Sequence, residues 1–547
     1  MEVTSRRSLF PAVRSLPRGW IAAAGLLVVV LATPVVSVAL GAFGASGDEW
    51  GHVSRNLLPA YLGQTAFLVL LSGGLALVLG VGTAWLVTLC SFPGRRFFRA
   101  GLVLPLAVPA YIAAYTYAGM LDVTGPVQSL VRSVVPGLSD AFLYWDVMRI
   151  EVVGVIFALV LYPYVYFPTR ALFERRVGGA LEAGRLLGSP PGTLFFRVGL
   201  PLARPAAAGG VALVLMEILN DYGAVHYYGV ETFTTGIFRA WFSLGDLDTA
   251  VRLAAILMLA VFVVLVAERT QRGGARYHGD GGRRTRPLYR LRGWKAWSAV
   301  AFCTLPLLFG FLLPVGQLLL WALRTAPDVV DPGFLRMALN SLGLAAASGL
   351  LAVAVAVILA TAARLDRTPL TRSLSRVAVL GYSVPGAVIA VGVLVTVLAL
   401  GRIVGTEISV ALVTGTVAAL LYAYLVRFLA VAYLPVEAGF ERIGTSVADA
   451  ARTLGQSSFG TLRRVELPLL RGSLLAALTL VVVDVLKELP LTLILRPFDF
   501  DTLATRAFQL AVDEQLAQSA PAALLVVASA SAAVVLLHRT LDRREAS

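Results

Sequence analysis

The sequence predicts an all-α polytopic membrane protein of about twelve transmembrane helices, arranged as two parallel six-helix halves. Three observations carry this. Apolar residues make up 58% of the 547-residue chain and charged residues only 14%, well short of the roughly 25% of an ordinary soluble domain. Apolar runs of about 18 residues or more recur, as a helix needs to cross a hydrocarbon layer about 30 Å thick. One polar loop also occurs twice between apolar runs, 267 positions apart.

In chain order, Arg6, Arg7, Arg14 and Arg18 precede an apolar run from Trp20 to about Phe43. That run is longer than a signal-peptide core, so it reads as a first transmembrane helix and signal anchor. Further spans are expected at about 65–90, 100–121, 152–172, 206–226 and 250–268. Residues 269–295 are rich in Gly and Arg and lack an apolar period, as a linker between halves should. Six more spans follow at about 297–323, 337–362, 377–400, 408–432, 473–495 and 520–538.

Basic residues set the orientation. Of the 46 Lys and Arg, 35 fall on the side of the N-terminus, 10 on the other, and Lys487 lies inside a span. This places both termini and both repeated loops in the cytoplasm. It also accounts for the net charge of +14 without nucleic acid as a partner. Gln64-Thr65 parallels Asn340-Ser341, and Val108-Pro109 parallels Val384-Pro385, each at a shift of 276. The shift then drops to 267, so the second half lacks about nine residues in the external loop matching 122–150. Six spans separate equivalent points, an even number, which makes the halves parallel.

The repeated loop covers 181–205 and 449–471. Glu182 aligns with Asp449, Ala183 with Ala450, Gly184 with Ala451 and Arg185 with Arg452. Gly188 aligns with Gly455, and Leu200-Pro201 with Leu467-Pro468. A short helix is expected before each Gly, with a low face at Ala183 and Gly184, or Ala450 and Ala451, that another protein can approach. Gly188 and Gly455 suit the left-handed residue that ends such a helix. Pro190-Pro191 stops the helix in the first copy, whereas Ser457-Ser458 is a softer stop in the second. The pattern resembles the EAA loop of ATP-binding-cassette importer permeases. It departs mildly, with Gly184 for the second Ala, Asp449 for Glu, and Val198 and Val465 for Ile.

That resemblance implies the type I permease fold, in which the loop docks on an ATPase subunit. It divides the chain into 1–60 (N-terminal segment and first helix), 61–268 (first permease domain), 269–336 (cytoplasmic linker and seventh helix), 337–538 (second permease domain) and 539–547 (tail). The chain has no G-x-x-x-x-G-K-[ST], H-E-x-x-H, paired C-x-x-C or G-x-S-x-G pattern, so it is expected to be a transport subunit and not an enzyme. It would bind no cofactor itself, with ATP and Mg held by the partner. Cys90 and Cys303 read as small buried hydrophobes.

Ionisable groups inside spans are functional candidates. Glu217 and Asp221, with Asn220 between them, match Asp484 and Glu488 with Lys487 between. Each acidic pair is spaced i, i+4 and shares a helix face, and Lys487 can pair with Asp484. Two readings stand: a polar lining or gate near the outer ends of the fifth and eleventh spans, or a structural charge network between the halves. Residues 221–246 and 487–497 look like the permease of ferric-iron importers. This implies a bacterial inner membrane setting, a periplasmic binding protein, two copies of an ATPase subunit and a ferric ion or chelate as cargo. Oxygen donors suit a hard cation. Glu217, Asp221, Tyr222, Tyr111, Tyr115, Asp484 and Glu488 could supply them along a path, with no fixed metal site. The tyrosines could equally be membrane-interface residues. Thiamine and polyamine permeases share the loops. A proton-coupled secondary transporter is a further alternative, against which the doubled loop speaks. A membrane enzyme finds no catalytic constellation.

In a cysteine-free background, single cysteines at Arg283 and Asp328 should label from opposite sides of the membrane. Labelling from one side would break the twelve-span topology.

Overall fold

The computed structural model describes residues 18–44, 47–134, 146–175, 178–272, 288–366, 368–405 and 416–546. They contain eleven helices long and apolar enough to cross a membrane, and a bent pair that, counted as one broken span, brings the number to twelve. Spans one to six are Gly19–Gly41, Trp50–Leu89, the pair Arg95–Ala107 and Ala110–Val134 meeting at 92°, Ile150–Glu174, Pro191–Asn220 and Leu247–Gln271. Spans seven to twelve are Trp294–Val329, Pro332–Leu365, Gly386–Val404, Val417–Ile443, Ser458–Leu486 and Leu516–Val535. Each expected span has its helix. Spans five and eleven begin about fifteen residues earlier than hydropathy suggests and end sooner. Their first turns carry Arg197, Arg463 and Arg464 and continue the helix beyond its apolar stretch.

The bend in span three and the start of span nine share one cause. The residue before a proline avoids helical geometry. Val108 (ψ 113°) and Val384 (ψ 130°) are accordingly extended, and Pro109 and Pro385 open the helices Ala110–Leu121 and Gly386–Val404. Arg283 lies outside the described residues. The far end of the linker is fixed: Tyr289–Arg290 pairs in parallel with Cys90–Ser91 at the end of span two. The Leu288 and Leu291 N–H groups donate to Leu89 and Ser91 carbonyls at 2.8 and 3.0 Å.

Spans two, four and five pack as one core and spans eight, ten and eleven as its counterpart. The halves interlock through their first spans. Span one lies mainly against span nine of the other half, while span seven lies against spans three and four of the first half and against span twelve. Small residues and hydroxyls mediate this, as expected where lipid removes the hydrophobic drive between helices. Ser37 Oγ meets Thr396 Oγ1 at 2.9 Å, Thr33 Oγ1 meets the Tyr422 hydroxyl at 2.8 Å, and the Tyr117 hydroxyl donates to the Phe309 carbonyl.

Gly392 sits where span nine crosses span one, and a Cβ there would lie 2.3 Å from the Pro34 carbonyl oxygen. Gly392→Leu should therefore lower the melting temperature of the detergent-solubilised chain, by the about 1–3 kcal/mol typical of overpacking. An unchanged melt would mean that this crossing does not hold the halves together.

Candidate functional site

The two repeated loops fold alike. Their helices are Gly178–Leu186 and Ser446–Thr453. Gly188 and Gly455 adopt φ of +80° and +85°. Ser189 N–H reaches the Gly184 carbonyl and Gln456 N–H the Ala451 carbonyl, both at 3.1 Å. This is the same left-handed helix stop twice, formed with or without the Pro-Pro that follows the first copy. The Leu-Pro of the motif has a structural consequence. Proline lacks an N–H and clashes with the carbonyl four residues back, and the preceding turn is widened in both copies, at Phe195–Gly199 and Leu462–Glu466. The Leu200 and Leu467 N–H groups donate to Phe195 and Leu462, five residues back.

The departure at Gly184 also has a local reason. A Cβ on Gly184 would approach Leu194 Cδ2 to 2.5 Å. At the matching place in the second loop the smaller Thr461 stands in for Leu194, and Ala451 is accommodated and buried. Glu182, Ala183, Asp449 and Ala450 are exposed. Leu187 and Leu454, just before each Gly, are both 85% exposed, so each loop presents an apolar tip outside the bundle. Arg185 Nη1 donates to the Leu288 carbonyl at 2.5 Å, which ties the first loop to the linker end. Arg452 instead pairs with Asp449 at 3.3 Å.

At the opposite ends of spans five and eleven, the two halves enclose a cavity of about 110 Å³. Glu217, Asn220, Asp221, Asp484, Lys487, Glu488 and Tyr111 all line it. Asp484 Oδ1 and Lys487 Nζ are 2.9 Å apart, the pair expected from their spacing. Asp221 Oδ1 accepts from the Ala224 and Val225 N–H groups, and Glu488 Oε1 accepts from Leu491 N–H at 3.2 Å. Both acids thus cap the short helices that follow spans five and eleven. Asn220 Oδ1 accepts from Gly386 N–H at 2.7 Å, joining the halves across the cavity. Glu217 accepts from the Tyr164 hydroxyl at 3.1 Å.

Tyr222 and Tyr115 are not part of the cavity lining. Tyr222 is stacked on Phe238 with ring centroids 3.6 Å apart, and Tyr115 packs against Tyr111 and Tyr227. Both are held by neighbouring rings just after or within a helix, and sequence spacing alone does not give the direction of those rings. Tyr164, Tyr382, Ser383 and Arg427 are polar cavity residues that the sequence reading does not single out. Arg427 lines the cavity, pairs with Glu488 at 3.2 Å and donates to the Val384 carbonyl at 3.1 Å. Its position inside an expected apolar span was the available signal. The Tyr111 hydroxyl is buried and has no hydrogen-bond partner among the described residues. Among those residues no three His, Cys, Asp or Glu side chains converge as a metal site. With all groups ionised, four carboxylates face two cations, so the lining is net acidic.

Residues 352–547 match the family described as binding-protein-dependent transport system inner membrane component. The chain is 26% identical over 471 residues to the Fe(3+)-transport system permease protein FbpB 2 of Haemophilus influenzae, covering 85% of this chain and 86% of that one. It is 25% identical to the probable ABC transporter permease protein y4fN of Sinorhizobium fredii, covering 82% of each. A shorter match, 28% identical over 202 residues, joins it to the sulfate transport system permease protein CysT of Synechococcus elongatus, covering 36% of this chain and 69% of that one.

The Asp484–Lys487 contact makes a definite mutational pattern. Asp484→Asn and Lys487→Leu should each lower folded yield and melting temperature, and the double variant should be milder than either. An unpaired charge in the membrane costs about 3–5 kcal/mol, more than removing the pair. Additive losses in melting of the three variants would mean that the two side chains act independently.

Proposed function

We propose that this chain, one of the binding-protein-dependent ABC permeases, passes a ferric ion or ferric chelate from a periplasmic binding protein to the cytoplasm. ATP is hydrolysed by two copies of a separate subunit docked on the two loops. One observation supports this most: spans five and eleven each carry a repeated loop at one end and cavity residues at the other. In span five the helix Leu200–Asn220 has 21 residues, about 30 Å at 1.5 Å per residue. A tilt imposed at Gly188 by closure of the ATPase pair therefore reaches Glu217 along span five, and one imposed at Gly455 reaches Asp484 along span eleven. Both termini face the cytoplasm in this reading, as the basic residues require.

The cargo follows from chemistry and likeness together. A net acidic lining with phenolic Tyr111, Tyr164 and Tyr382 favours a hard cation with oxygen ligands, in keeping with the Fe(3+) relative. The cavity is a stage on a path: Glu217 and Asp484 are the carboxylates not used as helix caps, and each is held by a partner it can exchange for cargo. An oxyanion is the second reading, favoured by the sulfate permease match. The four carboxylates at the cavity weigh against it.

In cells expressing the chain together with an ABC ATPase subunit and a periplasmic binding protein, radioactive ferric iron should accumulate and sulfate should not. Sulfate accumulation without iron would overturn the cargo. The chain purified alone should show no ATP hydrolysis, and uptake by the chain alone on a proton gradient would overturn the class of mechanism. Gly188→Val and Gly455→Val place a β-branched residue at positive φ, where it is poorly tolerated. Each should reduce ATPase co-purification and uptake at least about tenfold, the equivalent of 1.4 kcal/mol, with the bundle's melting unchanged. Wild-type co-purification and uptake in both variants would show that these loops do not couple.

A further inference from the structure

A second cavity, of about 690 Å³, opens on the outer flank of the bundle between spans one and six. Its lining is mostly apolar, with Ala39, Ala42 and Ala255 as small positions and Phe43, Leu259 and Phe262 as bulky ones. Phe43, Leu259 and Phe262 are 60% or more exposed, so the groove faces the lipid. It runs from Arg252 to Arg269 along span six, about 25 Å at 1.5 Å per residue, close to the apolar thickness of a bilayer. Ser383 and Val384 line this groove and the central cavity alike, so the two spaces share a wall on this flank.

The end of the groove far from the repeated loops carries a cation without a counter-ion. Arg252 Nη2 donates to the Gly44 carbonyl at 2.8 Å, and its guanidinium lies 5.3 Å from the Trp50 ring centroid. These contacts fix its direction without neutralising it. No carboxylate among the described residues pairs with it, and its buried Nε–H has no acceptor among them. A guanidinium at the edge of the hydrocarbon layer, with a tryptophan beside it, offers the planar donor set that phosphate matches.

We infer that this groove holds one glycerophospholipid, with its phosphate on Arg252 and one acyl chain laid against Ala255, Leu259 and Phe262. The lipid is a structural wall: it backs the flank where Ser383 and Val384 are shared by the central cavity and the groove. Charge complementarity at Arg252 and the length of the groove select a phosphate-bearing lipid over a neutral one. The inference stands independently of cargo and of the loops.

The test is native mass spectrometry of the full chain, stripped of lipid in detergent. It is titrated separately with dioleoyl phosphatidylglycerol, dioleoyl phosphatidylethanolamine and dioleoylglycerol. One molecule of either phospholipid should stay bound after the detergent is removed, and dioleoylglycerol should not. Arg252→Gln should weaken retention about tenfold, as expected for losing a charge-assisted hydrogen bond. Ala255→Phe, which fills the groove and leaves the arginine in place, should abolish it with no loss of melting temperature in lipid-free detergent. Equal retention by the wild type and both variants would overturn the site. Retention of dioleoylglycerol would overturn the role of the phosphate, and retention of phosphatidylglycerol alone would narrow the occupant to an anionic phospholipid. Should Arg252→Gln fail to fold, Ala255→Phe and the dioleoylglycerol arm decide.

Discussion

Inside a membrane no backbone N–H or carbonyl can be left without a partner, and the polar architecture here follows from that constraint. Spans five and eleven stop at Asn220 and Leu486, and the chain then starts a new short helix in each half. The first N–H groups of those helices need acceptors, and Asp221 and Glu488 provide them. Span nine begins after Pro385, and its leading N–H at Gly386 is met by Asn220 from the other half. The residues that look like a translocation lining are thus, in part, the groups that let the helices break. The breaks in turn open the cavity. Structural and functional readings of these side chains are therefore not rivals: a path needs broken helices, and broken helices need capping acids.

The duplication has not left two equal halves. Glu217 is served by the neutral hydroxyl of Tyr164, whereas Glu488 is served by Arg427. At the positions matching Arg427 and Tyr164 stand Val160 and Val431. Asn220 bridges the halves, while its counterpart Lys487 turns to Asp484 within its own helix. The loops diverge in the same way. The first is tied to the linker end through Arg185 and Leu288, and the second holds its own Arg452–Asp449 pair. Carrying both halves in one chain permits this, because each half always meets the same neighbour and can specialise against it.

How much was legible beforehand depended on the range of the interaction. The twelve spans, the repeat, the left-handed Gly188 and Gly455 and the Asp484–Lys487 pair all follow from spacings of a few residues within one helix or turn, where the periodicity of 3.6 and the geometry of glycine and proline decide. The cavity residues of spans five and eleven were found for the same reason, being charges in otherwise apolar runs. Where the rings of Tyr222 and Tyr115 lie was not legible, because a ring's direction depends on its neighbours, here Phe238 and Tyr227. Arg427 stands inside an expected apolar run, but its pairing with Glu488, 61 positions away, is set only by the fold.

The sequence by itself determined the helical class, the two parallel halves, the form of each loop and which short segments carry charge into the membrane, because those are local consequences of hydropathy and backbone sterics. Only the tertiary structure decided that span one crosses to span nine and span seven to spans three and four, that six ionisable side chains from both halves face one cavity, and that Arg252 has no counter-ion among the described residues beside an apolar groove. Hydropathy carries no information about which face of one apolar helix meets which face of another. In lipid that choice is made by close fit between small residues such as Gly392 and the backbone at Pro34, and by the few polar groups that must find partners across the bundle.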